Sequence, residues 1–339
     1  MIMKMMKSFQ WLTSALATAT LLWNCQPSIN TITANAFSTT PAATNIIHLI
    51  DNIPCRETKI SISTLHQPIT IFEATLEGQD KLVDEVLMLD EERNQDAATV
   101  QNDPYGSVLW PAARTVSEHI TDESFSTMGN SDTTTTNQEE QSNNKPTLLE
   151  LGTGTGLVAL AASASNKYES ILATDYESVP LKLLDAAYLL NQDNDDGIFT
   201  SSTTTTTTTA TITTTPIVTS LFDICDLSVP LPPADIVCAA DILYEKSTGI
   251  ALAKRCIEAL DRGSRVVIGC SPGRPGRPAF LEELRRLNPK LKKVDFVDVE
   301  GTTCSGERNS LICGEGSTSI SAEPEMLFVA LMDLMPDCL

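Results

Sequence analysis

Apolar residues in this chain fall into short runs whose spacing switches between two and about four. From Lys59 to Thr75 apolar and polar positions alternate on either side of Gln67-Pro68, which predicts a two-stranded ribbon. Leu82 to Leu89 mixes apolar and acidic residues, and Glu91 to Asn102 is polar. Pro111 suits the first turn of a helix in which Ala112, Val116 and Ile120 recur on one face. Thr147 to Leu151 is an apolar strand that breaks into alternate glycines, and an alanine-rich helix starts at Leu157. Strands are then predicted at Ser170–Asp175, Ile217–Asp223, Asp235–Asp241 and Arg265–Gly269, with helices at Val179–Asn191 and Ser247–Leu260. Residues 272–278 read as an irregular loop and Phe280–Leu287 as a short helix. Val294–Val299 and Met326–Met332 are the last two strands, joined by a hairpin insertion rich in Gly, Ser and Cys. Strands alternating with helices imply an α/β domain with a mostly parallel sheet covered on both faces.

Composition sets the limits of that domain. Residues 121–146 and the threonine tract at 200–215 bury little apolar surface and read as disordered inserts, as does 302–323. The first fifty residues hold no Asp or Glu. Lys4 and Lys7 precede an apolar stretch too short for a stable membrane anchor, and Ala34-Asn35-Ala36 gives a cleavage pattern. The expected organisation is a signal-peptide-like leader over 1–36, a transit segment over 37–50, an N-terminal β-ribbon extension over 51–100 and the catalytic domain over 101–339. The Ala-Phe junction and hydroxyl-rich segment after it resemble the bipartite leaders of algae with secondary plastids, which implies the plastid stroma. A mitochondrial or secretory destination is the alternative.

The formal net charge of −21 argues against nucleic-acid or anionic-membrane binding. The nine cysteines form no CxxC pair, and with three histidines they make no metal cluster of known spacing.

The chemistry concentrates where the Thr147 strand ends. Glycines at 152, 154 and 156 suit a backbone that turns sharply and lies close to a ligand, just before a helix start with unpaired N–H groups. Gly154, Gly156 and Ala159 satisfy G-x-G-x-x-A, a dinucleotide fingerprint, so an NAD(P) oxidoreductase competes. Glu150, Gly152, Gly154 and Gly156 equally satisfy the E-x-G-x-G-x-G loop of adenosylmethionine sites. All three histidines precede the loop, and no Tyr-x-x-x-Lys follows the fourth strand, so the usual partners of hydride transfer are missing. Asp241-Ile242-Leu243-Tyr244 does follow it, and the carboxyl-end rule puts it beside the glycine loop. Methyl transfer needs positioning above all. An acid and a tyrosine there could orient an incoming amine.

Together, Leu109-Trp110-Pro111-Ala112-Ala113, the segment Leu149 to Leu157, Ala173-Thr174-Asp175 and Ala239 to Tyr244 resemble the class I, seven-β-strand adenosylmethionine-dependent methyltransferases. More narrowly, the set is similar to the protein-lysine methyltransferases that modify chaperones, calmodulin, elongation factors and the electron-transfer flavoprotein β subunit. Pro272-Gly273-Arg274-Pro275 also looks like a segment of the flavoprotein-directed branch. The resemblance implies a Rossmann-like doubly wound sheet of seven strands, S-adenosyl-L-methionine as cofactor and a lysine side chain of a protein as acceptor. It also implies roles. Glu150, Gly152, Gly154 and Gly156 would hold the methionine part, and Asp175 would pair with the ribose hydroxyls. Phe222 stands where a tryptophan is usual against the adenine, and Asp223 would accept from its amino group. Trp110 would lie near the cofactor, with Asp241 and Tyr244 lining the lysine channel. A small-molecule N- or O-methyltransferase and a non-catalytic scaffold of the same fold remain as alternatives.

Overall fold

The computed structural model describes residues 46–92, 104–125, 145–195, 214–302 and 326–338. The leader over 1–36, the threonine tract except its last two residues and most of the other two expected inserts lie outside them. Strand β4 (Thr147–Leu151) runs beside β5 (Ser170–Asp175) and β7 (Ile236–Ala240), and all three are parallel. With β6 (Ile217–Leu221), β8 (Arg265–Cys270), β9 (Val297–Thr302) and β10 (Met326–Leu334) they form one seven-stranded sheet in the order β6-β5-β4-β7-β8-β10-β9. Among the described strands β10 runs opposite to the other six. The strand order reverses between β4 and β7, so the carboxyl ends of those two strands border the crevice where such sheets bind ligands.

Alternation along the strands decides which helices cover which face. Leu148, Ile236, Cys238 and Val267 point to one side, where they pack with α2 (Pro111–Thr121), α3 (Leu157–Ser165) and α4 (Ser178–Asp195). Leu149, Leu151, Val237, Ala239, Val266 and Ile268 point to the other, against α5 (Lys246–Asp261) and α6 (Gly276–Leu287). The face of α2 predicted from its spacing is the one that packs, since Ala112, Val116 and Ile120 are fully buried. Gly269 on β8 lets α2 come close, because a Cβ there would lie 2.5 Å from Val116 Cγ2.

Helix α1 (Leu76–Glu92) spans the mixed apolar-acidic run, for which the sequence reading gave no element. Most other boundaries shift by a residue or more, and three further differences have a local reason. The ribbon is a three-stranded antiparallel sheet of β1 (Ile47–Ile50), β2 (Ile53–Ile60) and β3 (Ile69–Ala74). Pro54 and the polar run Arg56 to Lys59 hide the alternation of β2. Residues 61–68 are the loop, with a turn closed by the Leu65 N–H on Ile62 O. Strand β1 lies inside the stretch read as a transit segment. Helix α6 starts at Gly276, four residues before Phe280. Pro278 is tolerated there because a first-turn N–H has no partner within the helix. Strand β9 starts three residues later than expected, because a 3-10 turn at Pro289–Lys293 leads into Phe296, which packs on Phe280.

The small sheet is fastened to the larger fold through polar contacts. Asn191 of α4 pairs with both the N–H and C=O of Thr70 at 2.9 and 2.7 Å, which caps the outer edge of β3. Glu73 of β3, buried, accepts from the Leu109 N–H at 3.0 Å and from Thr58 Oγ1 at 2.6 Å. The segment leading into α2 is thus held from the N-terminal side.

Candidate active site

All three glycines after β4 have positive φ: 68° at Gly152, 53° at Gly154 and 80° at Gly156. A left-handed backbone strains any residue with a Cβ. Two of them also answer to packing. A Cβ at Gly152 would lie 2.6 Å from Ile242 Cγ2, and one at Gly156 would strike Leu184. Gly154 is different, since the nearest atom to its Cβ would be Gly106 O at 3.4 Å. It is the member of the loop whose missing side chain leaves room for a ligand and not for a neighbouring side chain. Replacing Gly154 by valine is therefore expected to weaken adenosylhomocysteine binding at least ~10-fold by calorimetry. Gly156→Val should chiefly lower the melting temperature, and a reversal of these effects would contradict the assignment.

The loop is pinned from below. Glu150, at 1% exposure, accepts from Thr153 Oγ1 at 2.8 Å and from the Ala159 N–H at 3.1 Å. Burial outweighs these bonds, and the nearby Asp175 adds to it, so the Glu150 carboxyl is pushed up to about 8. Both bonds fall on Oε2, which faces the turn and the start of α3, so Glu150 braces the loop from beneath. The Ala159 N–H, part of the dinucleotide-like pattern, is consumed by the same bond.

Asp175 ends β5 beside the loop. Its Oδ2 accepts from the Gly154 N–H at 3.1 Å and its Oδ1 from the Glu177 N–H at 3.1 Å. Next along the edge is a cleft of about 220 Å³ lined by Tyr176, Leu221, Phe222, Asp223, Asp226 and Val229. The buried Phe222 ring is backed by Arg255, whose guanidinium lies 5.0 Å from the ring centroid. Asp223 is exposed and accepts from the Cys225 N–H at 2.7 Å. An apolar ring with a carboxylate at its rim fits a flat, amino-bearing base. The glycine loop, Asp175 and this cleft follow one another along the edge in the order that an adenosyl ligand requires.

On the opposite side of β4 the arrangement differs from the sequence reading. The expected role of Asp241 was to accept from an incoming amine. In the structure its buried carboxylate accepts four bonds from the protein. Oδ2 takes the Ala112 N–H at 3.0 Å and Ser271 Oγ at 2.5 Å, and Oδ1 takes the Ser271 N–H at 2.7 Å and Arg274 Nε at 3.1 Å. Asp241 also sits at φ 59°, a conformation that this network holds in place. The carboxylate caps the start of α2 from across the chain. The Arg274 guanidinium also lies 4.4 Å over the Trp110 ring, and Trp110 Nε1 donates to Tyr105 O at 2.8 Å. Trp110 is thus joined to β7 through Arg274 and to the Gly106 turn through Tyr105. Tyr244 is exposed at the rim.

Sequence reasoning missed Ser271, Arg255 and the role of Arg274. Arg255 had one visible sign: it shares a helix face with Leu252, Cys256 and Ala259, where a charge is out of place unless paired. It is paired, with Glu258, Ile224 O and Asp226 O. Ser271 and Arg274 had none, because their partner lies about thirty residues away in sequence.

A doubly wound sheet of this strand order, with such a loop at its switch point, is the fold of the adenosylmethionine-dependent methyltransferases. Within that class, residues 90–287, more than half of the chain, match the lysine methyltransferase family, and the chain belongs to it. The cofactor expected in this site is S-adenosylmethionine, which resolves the double reading of the glycine loop. No curated protein sequence matches. Among solved structures, the chain is similar to TrmN from Thermus thermophilus, with 16% identity and a TM-score of 0.31 over 56% of this chain and 45% of that one. It is also similar to a TehB-like SAM-dependent methyltransferase from Corynebacterium glutamicum, with 12% identity and a TM-score of 0.33 over 74% and 96% of the two chains.

Proposed function

We propose that this chain methylates the ε-amine of a lysine in a protein. The observation that carries the reading is the membership of the family, joined to the character of the edge beyond β7. Tyr244 and Glu245 are exposed there, so the acceptor side is surface, which suits a side chain borne by a folded partner. When bound, S-adenosylmethionine supplies a methyl group on a sulfonium, electrophilic without further activation. The chain's own work is positioning. Gly152, Gly154 and Gly156 would cradle the methionine part, Asp175 would face the ribose, and Phe222 with Asp223 would take the adenine. Asp241 acts through others: it fixes the start of α2, Ser271 and Arg274, and with them Trp110. Tyr244 is the candidate that meets the substrate amine, which must be neutral to attack. Lysine is unperturbed near ~10.4, so the rate should rise with pH across the neutral range.

Incubation with tritiated S-adenosylmethionine and organellar extract should label a protein band whose hydrolysate contains methyl-lysine. Label confined to small molecules would point instead to a small-molecule N- or O-methyltransferase.

A further inference from the structure

The switch point divides the carboxyl edge in two. Asp175, Phe222 and Asp223 stand on the β5–β6 side with the cleft. Asp241, Tyr244 and Arg274 stand on the β7–β8 side, from which an acceptor must approach. The charge attached to that second side is opposite to the charge of the chain. Against a formal net charge of −21, residues 274–293 carry Arg274, Arg277, Arg285, Arg286, Lys290, Lys292 and Lys293, and only two acids, Glu282 and Glu283.

This basic stretch is built onto the acceptor side. The Gly276 N–H donates to Leu243 O at 3.0 Å, one residue before Tyr244. The two backbones pack so closely that a Cβ at Gly276 would lie 2.8 Å from Leu243 O. Helix α6 then leads away, and its outer face carries a groove of about 600 Å³ lined by Arg277, Pro278, Leu281, Glu282, Arg285 and Asp295. Arg277 stacks over Phe296 at 4.5 Å, and Arg285 donates to Val294 O at 2.8 Å, so both guanidiniums are held in place. Arg285 Nε is buried with no hydrogen-bond partner among the described residues. Asp295 is the nearest acid to both, at 3.9 Å from Arg277 and 3.5 Å from Arg285, and it is 58% exposed. Pairs that long and that wet are worth little. Two fixed guanidiniums beside Pro278 and Leu281, with the groove's own acids Glu282 and Asp295 turned to solvent and with exposed lysines following, are suited to bidentate capture of carboxylates.

Resting on the protein-lysine reading above, we infer that this groove docks an acidic segment of the substrate protein. The enzyme would then select lysines with Asp and Glu nearby. The local field matters here because the chain as a whole repels acids. An acidic segment can settle only where that repulsion is reversed, so the same feature that binds it also sets its register.

The test uses fluorescence anisotropy with two short labelled peptides on the full-length chain. Each carries one lysine, set among glutamates in the first and among arginines in the second. The acidic peptide should bind more tightly, weaken as salt rises, and lose at least ~10-fold in affinity in the Arg277→Glu/Arg285→Glu variant. A second variant, Lys292→Glu/Lys293→Glu, alters two exposed residues and should also weaken binding with an unchanged melting temperature. Preference for the basic peptide, or equal binding of the acidic one by wild type and both variants, overturns the inference. Because the readout is binding, it is separate from whether lysine is methylated. Stabilisation by adenosylhomocysteine in the same samples reports independently on the methyl-donor site.

Discussion

Asp241→Ala is expected to lower the melting temperature by roughly 10 °C and to abolish methyl transfer. The carboxylate is buried, and its four bonds tie together two distant pieces of the chain: the Ala112 N–H at the start of α2, and the loop after β8 through both donors of Ser271 and through Arg274. Removing it leaves the Arg274 guanidinium, only 17% exposed, beside buried amide and hydroxyl donors with nothing to accept from them. Breaking one partner out of such a pair costs about 3–5 kcal/mol, which for a domain of this size is several degrees per two kcal/mol. Activity falls for a separate reason. Arg274 is fixed between Asp241 and the Trp110 ring, so Trp110 loses its stop on one side. Asp241→Asn tells the effects apart. It keeps the shape and some of the acceptors but removes the charge opposite Arg274, so it should fold better than the alanine variant and remain impaired in turnover. Calorimetry and initial rates on the same preparations check both. A variant that melts like wild type would show that the network is not what holds the edge together.

The two kinds of evidence at this site were not equally open to sequence reading. Contacts made within one supersecondary unit leave a pattern in the chain. The strand, the glycines at 152, 154 and 156 and the helix after them are of that kind, and so is the alternation that sorts Leu148 from Leu149 onto opposite faces. The end of β7 was also locatable, because a buried strand that stops at an acid is conspicuous. What Asp241 does there was not. Its partners are Ala112 on one side and Ser271 and Arg274 on the other, far away in both directions along the chain, and nothing in the local sequence distinguishes an acid facing a substrate from one facing four donors. The N-terminal sheet shows the same limit. Pro54 and four polar residues interrupt the period of β2, so its pairing with β3 is set by tertiary register and by Asn191 on a helix more than a hundred residues later. The basic groove on α6 lies between these cases: its charge is plain in the sequence, and its attachment to the acceptor side is known only from Gly276 meeting Leu243.

Glu150 gives the other large effect, and its sign follows from burial. Loss of hydration pushes its carboxyl up to about 8, against the two hydrogen bonds from Thr153 and Ala159 that favour the charged form. In the unfolded chain the same group ionises near its ordinary value of 4.5. Below that value both states hold the proton and the group is neutral with respect to folding. Between it and about 8 the folded protein keeps a proton that the unfolded chain has released, so stability falls as pH rises through the window and levels off above it. Each pH unit is worth about 1.4 kcal/mol, which makes the whole loss a few kcal/mol. Glu150→Gln has nearly the same shape, retains an acceptor for Thr153 and Ala159, and has no proton to lose. Thermal unfolding at pH 5 and pH 8 should therefore show wild type losing more stability than Glu150→Gln over that interval. Every other ionisable group is common to the two proteins, so its contribution cancels in the comparison. Asp333 does not interfere: burial alone would raise it, but Arg265 and His119 outweigh that and hold it at about 2, below the interval. Parallel curves for the two proteins would mean that Glu150 is ionised beneath the loop. The turn that cradles the methyl donor would then be built over a buried charge instead of a neutral acid.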